Sequence, residues 1–346
     1  MKAIITGVAG FIGSNLAHHL LTNGWDVVGV DDFSRIGSVE NRDRLQIGID
    51  GFHSAVEVRE INISNQDLIN HCFEENKDAA AVYHLAGQVA VTKSIEDPRL
   101  DFESNALGTL NVLEAVRKNK MDAVVVYAST NKVYGSNPSP PGMPFAVDES
   151  RSLDFHSPYG CSKGAADQYV VDYARIYGLR TVTMRQSCIY GPWQYGIEDQ
   201  GWVAWFTIAA MLGKEITIYG DGEQVRDVLW VEDLVEAYMR LWAYIEGPST
   251  SPASPVTPGS VYNIGGGPEN TLSLLQLVNM LEVILQRKIP VKFAPPRPGD
   301  QKVYVSNIQK IGRELGWKPK VGVKEGVERM VKWVEENIDQ IRRIVG

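Results

Sequence analysis

Residues 1–13 read Met1-Lys2-Ala3-Ile4-Ile5-Thr6-Gly7-Val8-Ala9-Gly10-Phe11-Ile12-Gly13, and the order of parts in this stretch decides the fold. A short apolar strand runs to Thr6, and glycines then recur at Gly7, Gly10 and Gly13. Beyond the turn the pattern becomes helical, with Ile12, Leu16, His19 and Leu20 on one side. Strand, glycine turn and helix in this order let backbone N–H groups, here those of Phe11, Ile12 and Gly13, approach a pyrophosphate at the positive end of the helix. A second strand, Trp25 to Val30, ends in Asp31, 18 residues after Gly13. A carboxylate at that strand end accepts hydrogen bonds from an adenosine ribose and repels a 2′-phosphate, so the pattern reads as NAD and not NADP. Arg35 points the other way, because a nearby arginine accommodates that phosphate.

Working outward, strand-like runs at Val56–Val58, Ala81–Leu85, Ala123–Tyr127 and Thr181–Met184 alternate with helical stretches such as Leu107–Lys118 and Cys161–Tyr177. The alternation predicts an α/β fold of Rossmann type, a doubly wound parallel sheet with a smaller C-terminal substrate-binding lobe. The expected division is an NAD-binding domain over 1–184, with 226–266 returning to it, and a substrate-binding lobe from 185–225 and 267–346. Val261–Gly267 reads as one more strand of the sheet, and the Pro/Ser/Thr-rich Gly247–Gly259 as an exposed, mobile loop. Ligands bind beyond the carboxyl ends of such strands. The loops there are Gly7–Gly13, Ala86-Gly87-Gln88, Ser129-Thr130-Asn131 and Ser187-Cys188. Trp193, Trp202, Trp205 and Phe206 suit a substrate lobe, most of them as core packing.

The 346 residues carry a net charge of −8 without a basic patch, which argues against nucleic-acid binding. The apolar runs are strand-sized, so none is expected to span a membrane. An N-terminal lysine before an apolar run superficially resembles a signal peptide, but the glycine turn occupies that stretch. Cys72, Cys161 and Cys188 are scattered, with no metal-ligand spacing, and fit a reducing cytoplasm. No metal site is expected.

Ser157-Pro158-Tyr159-Gly160-Cys161-Ser162-Lys163 carries the chemistry. Tyr159 and Lys163, four apart, share a helix face. An ammonium beside a phenol favours the phenolate. Moving a phenol from about 10 to about 7 takes roughly 4 kcal/mol, which one cation and a positively charged nicotinamide ring can supply. The product is a base for the proton of an alcohol whose carbon gives up a hydride. Taken alone the pair is more often a surface pair on an amphipathic helix; the nucleotide turn supplies the context. Cys161, two residues from each, points elsewhere and reads as packing.

With His84-Leu85-Ala86-Gly87, Asn105, Gly108–Ala115, Val133-Tyr134-Gly135, Tyr190-Gly191-Pro192, Arg226-Asp227-Val228, Val231-Glu232-Asp233 and Arg297-Pro298-Gly299-Asp300, the chain resembles, nearly end to end, the nucleotide-sugar epimerase and dehydratase branch of the extended short-chain dehydrogenase/reductase superfamily. The resemblance implies a tightly held NAD, regenerated each cycle, and a nucleotide-diphosphate sugar as substrate. It implies Tyr159 as the base, Thr130 bonded to the reacting hydroxyl and Lys163 on the nicotinamide ribose. Asn62 and Ile63 fall where the family meets adenine, although Ile61-Asn62-Ile63 departs from the usual Gly-Asp-Ile. Leu85, Ala86, Gly87, Gln88, Asn105 and Ser129 complete the cofactor set. Gln88, Thr130, Asn131, Ser187, Cys188, Gln200, Arg226 and Arg297 form the substrate set, with the two arginines on the diphosphate. Relatives commonly pair through helices beside the sheet, so a homo-oligomer is expected.

Dehydratases of the branch carry Thr-Asp-Glu where this chain has Thr130-Asn131-Lys132. Neither replacement is a carboxylic acid, which disfavours elimination and leaves oxidation and re-reduction at one carbon. Leu85–Ala90, Ser129–Gly135, Leu153–Tyr169 and Asp199–Val203 are similar to epimerases that invert carbon 2 of CDP-paratose to give CDP-tyvelose. The alternatives are carbon-2 epimerisation of CDP-glucose or GDP-glucose, carbon-4 epimerisation of a UDP-sugar, and a non-catalytic NAD-sensing module. Carbon-4 epimerases usually have Asn at Cys188, and a sensing module can lose the Tyr/Lys pair that this chain keeps.

Overall fold

The computed structural model describes residues 1–47, 56–135, 146–246, 256–297 and 299–346, so 247–255 of the loop expected to be mobile, and Pro298, lie outside the described residues. The strands in chain order are β1 (Lys2–Thr6), β2 (Asp26–Asp31), β3 (Val56–Glu60), β4 (Ala81–His84), β5 (Val124–Thr130), β6 (Thr181–Gln186), β7 (Cys188–Tyr190), β8 (Ile216–Tyr219), β9 (Val225–Trp230), β10 (Ser260–Ile264), β11 (Thr271–Ser273), β12 (Val291–Ala294) and β13 (Val303–Tyr304). Seven of them form one sheet in the order β10-β6-β5-β4-β1-β2-β3, and every neighbouring pair is parallel. Along β1 the side chains alternate: Ala3 and Ile5 enter the core on one face, and Ile4 the core on the other. Both faces are covered, which is why Ile4 and Ile5 of β1, Val82 and Tyr83 of β4 and Val124, Val125 and Val126 of β5 are all buried.

The chain leaves β1 toward β2 and β3, then crosses to β4 on the other side, so the crevice beyond the carboxyl ends opens where the direction reverses. Helices α1 (Phe11–Thr22), α2 (Ser38–Gln46), α3 (Gln66–Glu75), α4 (Val91–Glu96), α5 (Pro98–Phe102), α6 (Gly108–Lys118) and α7 (Ser157–Tyr177) make the crossovers. β7, β11 and β13 pair with β9 in a second sheet, and β12 pairs with β8. A second core packs there, with Phe206 and Trp230 inside it and Trp193, Trp202 and Trp205 packed against it. The chain then returns to the first sheet through helix α9 (Val231–Glu246), after α8 (Trp202–Met211), and through β10, which takes the edge beside β6.

Three local features differ from the sequence reading. Helix α7 begins at Ser157 and not Cys161, because Pro158 suits a first helical turn, so Tyr159 is inside the helix. Cys161 does not pack: at two residues from both Tyr159 and Lys163 it lies on the far side of the helix and is exposed. The stretch before α6 is a π-helical turn, Glu103–Leu107, with the Thr109 hydroxyl donating to the Asn105 carbonyl at 2.6 Å.

One buried ion pair ties the centre together. Arg185 on β6 donates Nε and Nη2 to Asp167 of α7 at 2.9 and 2.8 Å, and both side chains are almost inaccessible. Asp167→Ala leaves the guanidinium buried and unpaired and is expected to cost about 3–5 kcal/mol. Chemical denaturation of the variant beside the parent chain measures it.

Candidate active site

The glycine turn is built by contact. A Cβ on Gly13 would stand 2.0 Å from the Gly7 carbonyl oxygen, and one on Gly7, whose φ is +76°, would stand 2.7 Å from the Ala86 nitrogen. A Cβ on Gly10 would meet only the Gly7 carbonyl, at 3.2 Å, so space is open above the helix end. Gly10 caps α1 without a side-chain hydrogen bond, so no side chain answers the first amides of that helix, Phe11 and Ile12 among them. An open, uncapped, positive helix end fits a pyrophosphate. Asp31 closes β2 and accepts from the Ala9 and Phe33 amides at 2.9 Å each. Burial still raises its pKa against those bonds. Asn62 is exposed, donating to Asp32 at 2.8 Å, while Ile63 is in the core against the Cβ position of Gly108.

Leu85, Ala86 and Gly87 follow β4 along the crevice. The Gln88 amide folds back on its own loop, donating to the Ala90 carbonyl and to Asp101 at 2.8 Å each and accepting the Ala90 amide. Asp101 is wholly buried; it also accepts from Ser162 and, at 3.2 Å, from the Asn105 amide nitrogen. The other end of that amide, Asn105 Oδ1, is buried with no donor, 2.5 Å from where a Gly87 Cβ would sit. Lys163 Nζ lies 3.9 Å from the same point. An unanswered acceptor beside a glycine fits a ligand hydroxyl or amide.

Tyr159, Thr130 and Lys163 are brought together and buried. Thr130 Oγ1 accepts the Lys132 amide at 3.2 Å and donates to Asn131 Oδ1 at 3.3 Å. Lys163 reaches past Tyr159 to donate to the Ala128 carbonyl at 2.7 Å, and its ammonium lies 4.4 Å from the centre of the Tyr127 ring. Burial pushes the Tyr159 phenol up to about 12; the Thr130 hydroxyl offsets part of this, Asp101 adds to it and Arg35 opposes it. The protein's own groups therefore do not depress this phenol, contrary to the expectation from the Tyr/Lys spacing, and the cation that acts on it is Arg35. Burial also pushes Lys163 down to about 7, with Asp167 and Asp101 holding it up. Ser129 donates to Asp167 at 2.6 Å.

The substrate set divides. Cys188, Arg226 and Lys132 form one group, close enough to perturb one another electrostatically. Arg226 is turned inward, donating to the Val225 carbonyl and Asp300 at 2.8 Å each and to the Gln301 carbonyl. Ser187 donates to Asp227. Arg297 stands apart: it stacks on Tyr219 at 3.9 Å, donates to the Glu198 carbonyl at 3.1 Å and pairs with Asp199 at 3.4 Å. Gln200 pairs by backbone with Ile197 in the same loop. Two residues that the sequence reading did not single out join the site. One is Asp101; the other is Gln301, buried, which donates to the Gly135 carbonyl and accepts from Asn131 at 3.4 Å. Gln301 directly follows Arg297-Pro298-Gly299-Asp300, which was the available signal.

Residues 4–330 match the protein family described as GDP-mannose 4,6-dehydratase. The chain belongs to that family. It is 42% identical to the CDP-paratose 2-epimerase of Salmonella typhi, over 96% of this chain and 99% of that protein. Among solved structures it is similar to the UDP-glucose 4-epimerase of Thermotoga maritima with UDP-glucose, at 32% identity and a TM-score of 0.83 over 98% of this chain and 100% of that one. It is also similar to the Thermus thermophilus UDP-glucose 4-epimerase in complex with NAD, at 32% identity and 0.82 over 97% and 99%. The chain is thus a member of the nucleotide-sugar epimerase and dehydratase branch, with its Rossmann sheet.

His84, at the end of β4, gives a test of the site's burial. Thr109 spends its proton on the Asn105 carbonyl, so His84 Nε2 donates to Thr109 at 2.9 Å and Nδ1 accepts from Thr6 at 2.7 Å. Burial first, and Lys163 second, lower its pKa to about 3. The unfolded chain takes up this proton at about 6.5 and the folded one only near 3, so stability is full above 6.5 and falls with pH between those values. His84→Gln is expected to remove about 2–3 kcal/mol of the loss between pH 6.5 and 4.5. Urea unfolding of both chains across that range measures the difference.

Proposed function

We propose that the chain is an NAD-dependent nucleotide-sugar epimerase acting at carbon 2, with CDP-paratose to CDP-tyvelose as its reaction. The observation that carries the reading is a buried Tyr159–Thr130–Lys163 set in which Asn131 and Lys132 stand where elimination needs carboxylic acids. The 42% identity to a CDP-paratose 2-epimerase along almost the whole chain supports the choice of sugar and carbon. Gly7, Gly10, Phe11, Ile12, Gly13, Asp31, Leu85, Ala86, Gly87, Asn105, Ser129 and Lys163 would hold NAD, for which the open helix end and the unanswered Asn105 Oδ1 are suited. Asp31 at the ribose position, and Arg35 engaged electrostatically with Tyr159, favour NAD over NADP.

Bound NAD supplies the acceptor and donor of the carbon-2 hydride. Tyr159 Oη takes the proton of the carbon-2 hydroxyl and returns it after the 2-keto sugar has turned its other face. Thr130 Oγ1 exchanges its long bond to Asn131 for one to the reacting oxygen and holds that oxygen in both directions. Lys163, anchored on the Ala128 carbonyl and supported as a cation by Asp167 and Asp101, would hold the nicotinamide ribose. Desolvation, which raises the Tyr159 phenol, also strengthens the field of any cation brought beside it.

The division into a cofactor domain over 1–184 with 226–266, and a substrate lobe over 185–225 and 267–346, belongs to the same proposal. The pairing of β10 with β6 favours it, and β9 in the second sheet marks where the returning segment crosses. Among the described residues no helix is long and apolar enough to cross a membrane. The free thiols of Cys72, Cys161 and Cys188 favour a reducing cytoplasm. Leu100, Phe102, Tyr169, Ile176 and Tyr177 are exposed on α5 and α7, which pack together, and we assign this face to self-association. Phe102→Glu with Tyr169→Lys is expected to shift the mass in light scattering from dimer to monomer.

The reaction is tested by proton NMR of the purified protein with CDP-paratose and no added NAD. The coupling between sugar protons 1 and 2 is expected to change to the manno pattern, and Tyr159→Phe to lower the rate by at least 1,000-fold while NAD stays bound. Conversion of UDP-glucose at carbon 4 with CDP-paratose untouched would replace this reading with carbon-4 epimerisation.

A further inference from the structure

Lys132 lies in a single 3₁₀ turn, Asn131–Tyr134, that begins on the Thr130 hydroxyl. The backbone bond from Lys132 to Thr130 fixes where the side chain starts, immediately beside the reacting group. Among the described residues its ammonium makes one hydrogen bond, to the Gly299 carbonyl at 3.2 Å, which leaves two of its three N–H groups to spare there. Its charged neighbours are Arg226 and Asp300, and the Cys188 thiol lies with them. Burial and the like charge of Arg226 push Lys132 down to about 8, against Asp300, so this corner holds two cations and is short of negative charge.

The other candidates for an anion here are largely engaged already. Arg226 spends its Nη1 and Nη2 donors on Val225, Asp300, Gln301 and Lys302. Arg297 is stacked on Tyr219 and engaged with Glu198 and Asp199. Burial pushes the Cys188 thiol up, which keeps it neutral, and a thiol is a weak donor. Lys132 has two donors left over where Arg226 has only its Nε, and it sits between the reacting side chains and the Arg226-braced loop.

Resting on the nucleotide-sugar reading above, we infer that Lys132 is a substrate-binding residue that receives the diphosphate of the nucleotide sugar. A phosphate dianion there relieves the repulsion between Lys132 and Arg226 and takes the spare N–H groups in charge-assisted bonds. Arg226 then acts through the loop, holding Asp300 and Gln301 so that Gly299 presents Lys132 at a fixed angle. This also gives a reason for lysine, and not a carboxylic acid, next to Asn131: an acid would repel the group that the pocket must hold.

Calorimetric titration of the NAD-loaded protein with CDP and with cytidine isolates the diphosphate's share of binding, with UDP/uridine and GDP/guanosine pairs run alongside. Lys132→Gln is expected to weaken the tightest-bound diphosphate at least tenfold and leave its nucleoside unchanged, with Lys132→Arg keeping most of the affinity. Equal CDP affinity in Lys132→Gln and the parent chain would overturn the inference, as would equal losses for diphosphate and nucleoside. A parent chain that prefers UDP moves the base and leaves the Lys132 comparison intact. A parent chain that binds no nucleoside diphosphate overturns the nucleotide-sugar reading and this inference with it.

Discussion

The Asp167–Arg185 pair is the interaction on which the active-site side of the molecule depends. Two charges removed from water gain little by their attraction alone; such a pair is held only where its remaining hydrogen-bonding positions are answered. Here they are answered by the elements that carry the chemistry. Asp167 takes the Ser129 hydroxyl at the end of β5, and Arg185 Nη1 donates to the Tyr134 hydroxyl. Tyr134 passes its proton to Asn263 on β10, and Asn263 in turn holds the Val147 carbonyl. Helix α7 with Tyr159 and Lys163, the strand end with Thr130, and the turn with Lys132 are thus fixed by one buried network. A shift of any one of them leaves a buried polar group unsatisfied.

That rigidity explains why the Tyr/Lys motif behaves differently in the fold than its spacing suggests. Four residues on a helix do put both side chains on one face, and both are buried there. Direction along that face is a separate matter. Lys163 has a natural acceptor in the Ala128 carbonyl, so its ammonium is drawn to the strand end and not onto the phenol. Tyr159 is left with Thr130 and Arg35 as the groups that favour its ionised form. The motif therefore specifies a place, and the charge state of the tyrosine depends on what enters that place.

Legibility followed sequence separation. The glycine turn, its strand and Asp31 lie within 31 residues and obey local geometry, so the nucleotide end was readable from the chain alone. The parallel sheet was readable because strand-like and helical runs alternate along the first half of the chain. The π-turn at Glu103–Leu107 was not, since a single wider turn is too short to show a period of its own. Asp101, reached by Ser162 across 61 positions, and Gln301, reached by Arg226 across 75, were invisible for a different reason. A buried polar residue resembles a surface one in sequence, and only the tertiary fold supplies its partners. The resemblance puts Arg226 and Arg297 on the substrate diphosphate; in the fold Arg226 pairs with Asp300 and Arg297 with Asp199, partners that no spacing announces.

Epimerisation sets a demand that elimination does not: the same carbon must be offered from both faces without the intermediate escaping. A sugar gripped tightly by its ring hydroxyls could not turn, so retention has to come from the part of the substrate that does not react. The reacting side of this site is accordingly lean. Thr130 holds only a 3.3 Å bond that it can give up, and Gln88 is folded onto its own loop. The heavily braced side is the opposite one, where Arg226 binds the 300–302 loop and Lys132 rests on Gly299. A firm hold on a diphosphate beside a loose hold on the sugar would let a ring rotate in place, and the roles proposed for Lys132 and Thr130 divide the site in that way.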